Sequence, residues 1–133
     1  MVEVPATALK AAAFVRHVDF FSIGTNDLTQ YALAAERGND AVAQLADPLD
    51  PGLLALVAAA GSAGRPVAVC GELAADELAT GLLIGLGVRE LSVSPAAVPG
   101  VKQAVRAVDA TEAAALATRA LAAPDAAAVR ALL

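Results

Sequence analysis

The chain holds one cysteine, one histidine, one methionine, one tyrosine, three phenylalanines and no tryptophan among its 133 residues. A single thiol, Cys70, excludes an internal disulfide and a zinc site built from several thiolates. Basic residues are also few. Nine Lys and Arg stand against fourteen Asp and Glu, a formal charge of −5, and no local cluster of positive charge offsets it. Such a surface repels polyphosphate backbones, which argues against nucleic-acid binding. Long apolar runs are missing as well: Leu53 to Ala60 and Leu82 to Leu86 stop far short of the ~18 residues of a membrane helix. No charged-then-apolar leader opens the sequence. These absences predict a cytoplasmic protein with no membrane segment.

What is present is aliphatic. The chain is 58% hydrophobic, much of it alanine, which suits helices packed closely on a core of small and branched side chains. The length predicts one folded unit over residues 1–133.

The β-branched run Met1 to Val4, stopped by Pro5, predicts a strand, and the Ala-rich segment Ala6 to Val15 a helix. Val18 to Ile23 predicts a second strand, ended by Gly24-Thr25-Asn26-Asp27. A helix over Leu28 to Ala35 follows, with Asn26 or Asp27 near its N-cap. Glu36 to Pro51 reads as an irregular excursion in which Asp40 to Leu45 makes a short helix. Leu53 to Ala63 predicts a helix closed by Gly64, and Pro66 to Val69 a third strand that delivers Cys70 and Gly71. Asp76 to Leu86 predicts a helix, Glu90 to Val93 a fourth strand, and Val101–Val108, Thr111–Ala122 and Asp125–Leu133 three closing helices capped at Thr111 and Asp125.

Strand-helix alternation predicts parallel strands. Glu3 and Asp27 stand 24 residues apart, as do Cys70 and Ser94, room for one β-α unit in each interval. In such folds ligands bind at the carboxyl ends of the strands, where Glu3, Asn26, Asp27 and Cys70 all fall. Two carboxylates at neighbouring strand ends offer oxygen ligands to a hard cation such as magnesium. Asp27 would serve equally as a helix cap and Glu3 as a terminal residue. A thiol at a strand end can exchange a proton near neutral pH, although a lone cysteine after an apolar strand also suits a core. Arg37, in the loop Glu36-Arg37-Gly38-Asn39, is able to clamp a phosphate or simply to be solvated. His17, between Arg16 and Val18 at a helix-to-strand turn, reads as a surface residue.

Three blocks point further. Phe20-Phe21-Ser22-Ile23-Gly24-Thr25-Asn26-Asp27-Leu28-Thr29-Gln30-Tyr31, then Glu36-Arg37-Gly38-Asn39, then Cys70-Gly71-Glu72-Leu73-Ala74 resemble the signature blocks of the phosphoenolpyruvate (PEP)-utilising enzymes. Val2-Glu3-Val4-Pro5-Ala6 is similar to the family's magnesium-binding strand, and the likeness runs from Met1 through Val108. Tyr31 and the Gly71-Glu72-Leu73 after the cysteine resemble enzyme I of the bacterial sugar phosphotransferase system more than pyruvate phosphate dikinase or PEP synthase.

The resemblance implies an α/β fold, the C-terminal half of a (β/α)8 TIM barrel with about four parallel strands, beginning inside the fifth. It implies that Glu3 and Asp27 ligate Mg2+, that Asn26, Asp27 and Arg37 bind the substrate, and that Cys70 protonates enolpyruvate as the phosphoryl group leaves for a histidine on another domain. It further implies PEP and pyruvate as ligands, a phosphocarrier of the HPr type docking through domains that this chain lacks, and a homodimer in the full-length enzyme. As an isolated piece the chain is expected to be inactive. Two departures stand out: Ala75 replaces the glycine usual after the cysteine block, and the helix before Pro66 is about one turn short. The alternatives are a non-catalytic half-barrel kept for dimerisation or regulation and a small binding domain for phosphorylated metabolites.

Overall fold

The computed structural model describes residues 1–133. Its centre is a three-stranded parallel sheet, β1 (Phe21–Gly24), β2 (Val67–Cys70) and β3 (Glu90–Ser92), in that spatial order. The register pairs Ile23 with Val69, Gly24 with Cys70, and Cys70 with Ser92. The predicted opening strand is reduced to one parallel bridge. Val2 donates to Ser22 O at 2.7 Å and accepts from the Gly24 N–H at 3.0 Å. The pairing goes no further because Val4 turns extended into α1 (Pro5–Leu9), whose first-turn proline suits a helix start.

Chain order continues with α2 (Ala11–Phe14), α3 (Thr25–Leu33), α4 (Pro51–Gly61), α5 (Glu72–Ala75), α6 (Thr80–Gly85), α7 (Val98–Ala107), α8 (Ala110–Leu121) and α9 (Ala126–Arg130). The helix predicted over Ala6 to Val15 is thus two short ones followed by a 3-10 turn, Val15–His17. That predicted over Asp40 to Leu45 is a 3-10 turn, Ala43–Leu45. The predicted Asp76–Leu86 helix starts only at Thr80, because Asp76 is extended and a separate single turn, α5, precedes it.

β1 and β2 are buried along almost their whole length, as expected of parallel strands covered on both faces. Ile23 and Val69 lie in one cluster with Leu53, Leu54 and Val57 of α4 and Leu82 and Leu83 of α6, all fully buried. Each such side chain contributes about 1.5–3 kcal/mol on burial. β3 is the exposed edge, and an apolar groove of about 320 Å³ runs along it between Leu91, Val93, Val98, Val101 and Val105. No helix is long and apolar enough to cross a membrane.

The helix caps divide. Asp125 caps α9 as predicted, accepting from the Ala128 N–H at 2.8 Å. Thr111 does not cap α8; Asp109 does, accepting from the N–H groups of Thr111 (2.8 Å) and Glu112 (3.0 Å). An aspartate two residues earlier reaches two of the orphan donors of the first turn, and its charge complements the helix dipole. The Glu112 N–H, and next the Thr111 N–H, hold the Asp109 carboxyl below its usual pKa. A depressed folded value stabilises above the unfolded pKa of about 3.9 and is lost as pH falls through the folded one. Thermal melts should therefore show the wild type losing stability below about pH 4 more steeply than Asp109→Asn, which keeps an acceptor without the charge. Asp109→Ala should melt lower than both at neutral pH.

Candidate functional site

The bridge through Val2 brings Glu3 beside the end of β1. A methyl added to Gly24 would sit 2.8 Å from Glu3 Oε1, so the Glu3 side chain lies over the last residue of that strand. The register sets Gly24 against Cys70, and the half-buried thiol points back across the ladder, donating to Ile23 O at 3.4 Å. Thr25, fully buried, donates its hydroxyl to Cys70 O at 2.8 Å. Glu3, Gly24 and Cys70 thus follow one another across the carboxyl rim.

α3 begins immediately after β1, with Gly24 as its N-cap and no side-chain cap. Asn26 and Asp27 lie near the N-cap as expected, but the helix starts three residues earlier than Leu28, so both are already inside it, and the Thr25 hydroxyl is turned across the sheet. Asp27, half-buried in the first turn, is a favourable neighbour of the helix dipole. Asn26 Oδ1 instead accepts from the Glu72 N–H at 3.3 Å, at the start of α5. That bond fixes the amide with its oxygen committed and leaves the NH2 group to donate elsewhere.

Gly71 permits this junction. Its φ is +95°, a left-handed region that glycine adopts without strain, and a Cβ there would lie 2.7 Å from Thr25 Oγ1 and 3.0 Å from Asn26 Oδ1.

Arg37 follows α3 in the excursion. Its N–H donates to Gln30 Oε1 at 2.7 Å, and its guanidinium stands 3.6 Å from the Glu72 carboxylate. Asn26, Thr29, Gln30, Arg37 and Glu72 line a concavity of about 120 Å³, walled by Ala46 and Pro48 of the excursion. Thr29, 5% exposed, has a buried hydroxyl with no partner. Glu3, Asp27 and Cys70 are not in its lining. The predicted residues therefore form two groups: Glu3 and Cys70 at the strand ends, and Asn26 with Arg37 in the concavity. Gly71, Thr25 and Glu72 join them, with Asp27 next to Asn26 in sequence. His17, exposed, accepts from Arg16 Nε at 2.9 Å just before β1, at the amino end of the sheet.

Sequence reasoning assigned no role to Thr29, Gln30 or Glu72. A helix starting at Thr25 would have exposed the first two, since Asn26, Thr29 and Gln30 share one face at i, i+3 and i+4.

The chain's two ion pairs are Arg37–Glu72 and Arg130–Asp47, so Glu3 and Asp27 are both free of protein cations. No three His, Cys, Asp or Glu side chains gather as a metal-binding group. Two unpaired carboxylates suit a magnesium ion that keeps waters and takes oxygens from a phosphorylated ligand.

In parallel α/β units ligands bind at the carboxyl ends of the strands, and that is the rim at which these acidic, amide and thiol groups sit, with a basic residue beside them. Residues 1–110 match the family model of the PEP-utilising enzymes, PEP-binding domain, and the chain belongs to that family. It is 45% identical to the phosphoenolpyruvate-protein phosphotransferase of Haemophilus influenzae, over 100% of this chain and 24% of the relative. The protein of the same name from Haloferax volcanii is 51% identical over 91% of this chain and 22% of its own length. The multiphosphoryl transfer protein of Xanthomonas campestris is 49% identical over 80% of this chain and 13% of its own. The chain thus spans about a quarter or less of the length of these relatives.

Gly71→Ala should cost about 1–3 kcal/mol in urea unfolding, through strain at positive φ, and should shift the NMR signals of the Asn26 side-chain amide. An unchanged amide signal would mean that Gly71 does not set its position.

Proposed function

We propose that this chain is the C-terminal half of the PEP-binding barrel of a phosphoenolpyruvate-protein phosphotransferase. The observation that carries this reading is the sequence of groups across one rim: the Glu3 carboxylate over Gly24, the Cys70 thiol on the Ile23 carbonyl, and the Asn26 amide locked by Glu72. Family membership, and relatives named for this activity at 45% identity and above, support it. The half-barrel reading is supported by four parallel segments, counting Val2, and by the open β3 edge along which further strands can continue the sheet.

Asn26 offers its free N–H groups, and Arg37 its guanidinium, to the phosphate of PEP. Glu3 and Asp27 hold magnesium, which when bound neutralises charge on the phosphate and the enolate oxygen. As the bond between phosphorus and the enol oxygen breaks, a bond from phosphorus to a histidine nitrogen forms. Cys70 gives its proton to the methylene carbon, yielding pyruvate, and the thiolate takes a proton back from water. The acceptor histidine lies on another domain, since His17 sits at the opposite end of the sheet. The phosphocarrier docks through a further domain of the full-length enzyme, which is a cytoplasmic homodimer. The same rim suits pyruvate phosphate dikinase and PEP synthase, but no residue of the concavity favours them.

The chain alone should convert no PEP to pyruvate, and should gain turnover when a fragment carrying the rest of the barrel and the phosphohistidine domain is added. In that completed enzyme Cys70→Ala should lower turnover about 10²–10⁴-fold, the span of a general acid, with magnesium affinity nearly unchanged. Equal losses in both would make Cys70 structural, and folded halves that never regain turnover would overturn the catalytic reading.

A further inference from the structure

We propose that Glu72 is a built-in competitor for Arg37, the residue that keeps phosphate affinity at this site low. The inference rests on the proposed phosphate-binding role of Asn26 and Arg37.

Glu72 makes two contacts of different kinds. Its backbone N–H donates to Asn26 Oδ1, and its carboxylate stands 3.6 Å from Arg37 Nη2. The first contact commits the Asn26 side-chain oxygen and does not depend on the Glu72 carboxylate. The second occupies the guanidinium with an anion. All three residues line the same concavity, so a carboxylate stands in a site whose principal donors, the Asn26 amide and the Arg37 guanidinium, suit an anionic ligand.

Two effects of that carboxylate oppose each other. Holding Arg37 in place would help a phosphate bind, but 3.6 Å is too long for a good hydrogen bond and the two side chains are 59% and 84% exposed. Exposed pairs of this kind orient their partners weakly. Repulsion works the other way. A phosphate taken up by Arg37 would come within several ångströms of Glu72, and a dianion doubles the unfavourable term. Repulsion wins by the magnitudes, so Glu72 weakens binding by roughly five- to tenfold at low salt. A phosphate that arrives must displace the carboxylate into solvent, which the 84% exposure of Glu72 allows.

The experiment is a titration of the 15N-labelled 133-residue chain with inorganic phosphate, without magnesium, following the Asn26 side-chain NH2 and the Arg37 Nε–Hε signals. Glu72→Gln should bind phosphate about five- to tenfold more tightly than wild type at low salt. The gain should shrink well above 0.1 M salt, where screening acts within about 10 Å. Glu72→Asp, which keeps the charge, should stay near wild type. The ligand-free Arg37 signal should also shift in Glu72→Gln. If wild type binds and Glu72→Gln binds equally or more weakly, the competitor role falls while the phosphate site stands. If neither binds although both fold, the phosphate-site reading falls and this inference with it. Binding by Glu72→Gln alone would support both.

Discussion

The structure depends on one backbone constraint, the parallel register that sets Gly24 beside Cys70 and Ile23 beside Val69. Parallel pairing makes both strands end at the same rim, and the two hydrogen bonds of Val2 to β1 carry Glu3 to that rim as well. The side chains beneath are fully buried aliphatics, so a one-residue slip would turn the whole apolar set of a strand outward. Core packing therefore fixes the relative positions of a carboxylate, a thiol and an amide that are far apart in the chain.

Above the core, the rim is organised by which polar groups are committed and which are free. The Thr25 hydroxyl and the Asn26 carbonyl oxygen are spent on β2 and α5, and the Gln30 side chain on the backbone of Arg37. What remains is the Asn26 amide group and the carboxylates of Glu3 and Asp27, with the Arg37 guanidinium held only by the exposed Glu72 carboxylate. Donors and oxygen ligands left over in this way suit an anionic group that binds together with a divalent cation. Glu72 is the exception, an acid placed among the donors, and its exposure lets it yield.

Much of this was legible in the sequence because it is carried by type and spacing. The alternation of β-branched runs with Ala-rich segments gave the parallel order, and the polar residues after each run marked the rim. Family resemblance supplied the proposed roles that geometry alone left open, and the family itself is established. Helix starts were less legible. Thr25 enters α3 and Asp109 replaces Thr111 as a cap because capping depends on which donor a side chain reaches in three dimensions. The opening strand shrank to one bridge since its length is set by where Pro5 turns the chain, and the helix expected from Asp76 starts only at Thr80 because Asp76 is extended. Glu72 stood inside a recognised block, but its contacts with Asn26 and Arg37 are tertiary, and no local pattern encodes them.

Glu3 and Asp27 are proposed to serve one divalent cation at the strand ends beside Cys70. Titrating the 15N-labelled chain with manganese, a paramagnetic substitute for magnesium, tests it most directly. Broadening should begin at the amides of Glu3, Gly24, Asn26, Asp27 and Cys70, and should be abolished there by Glu3→Gln. Broadening that instead begins around Asp47, Asp50 or Asp125, or that spares Glu3 while affecting Asp27, would contradict it.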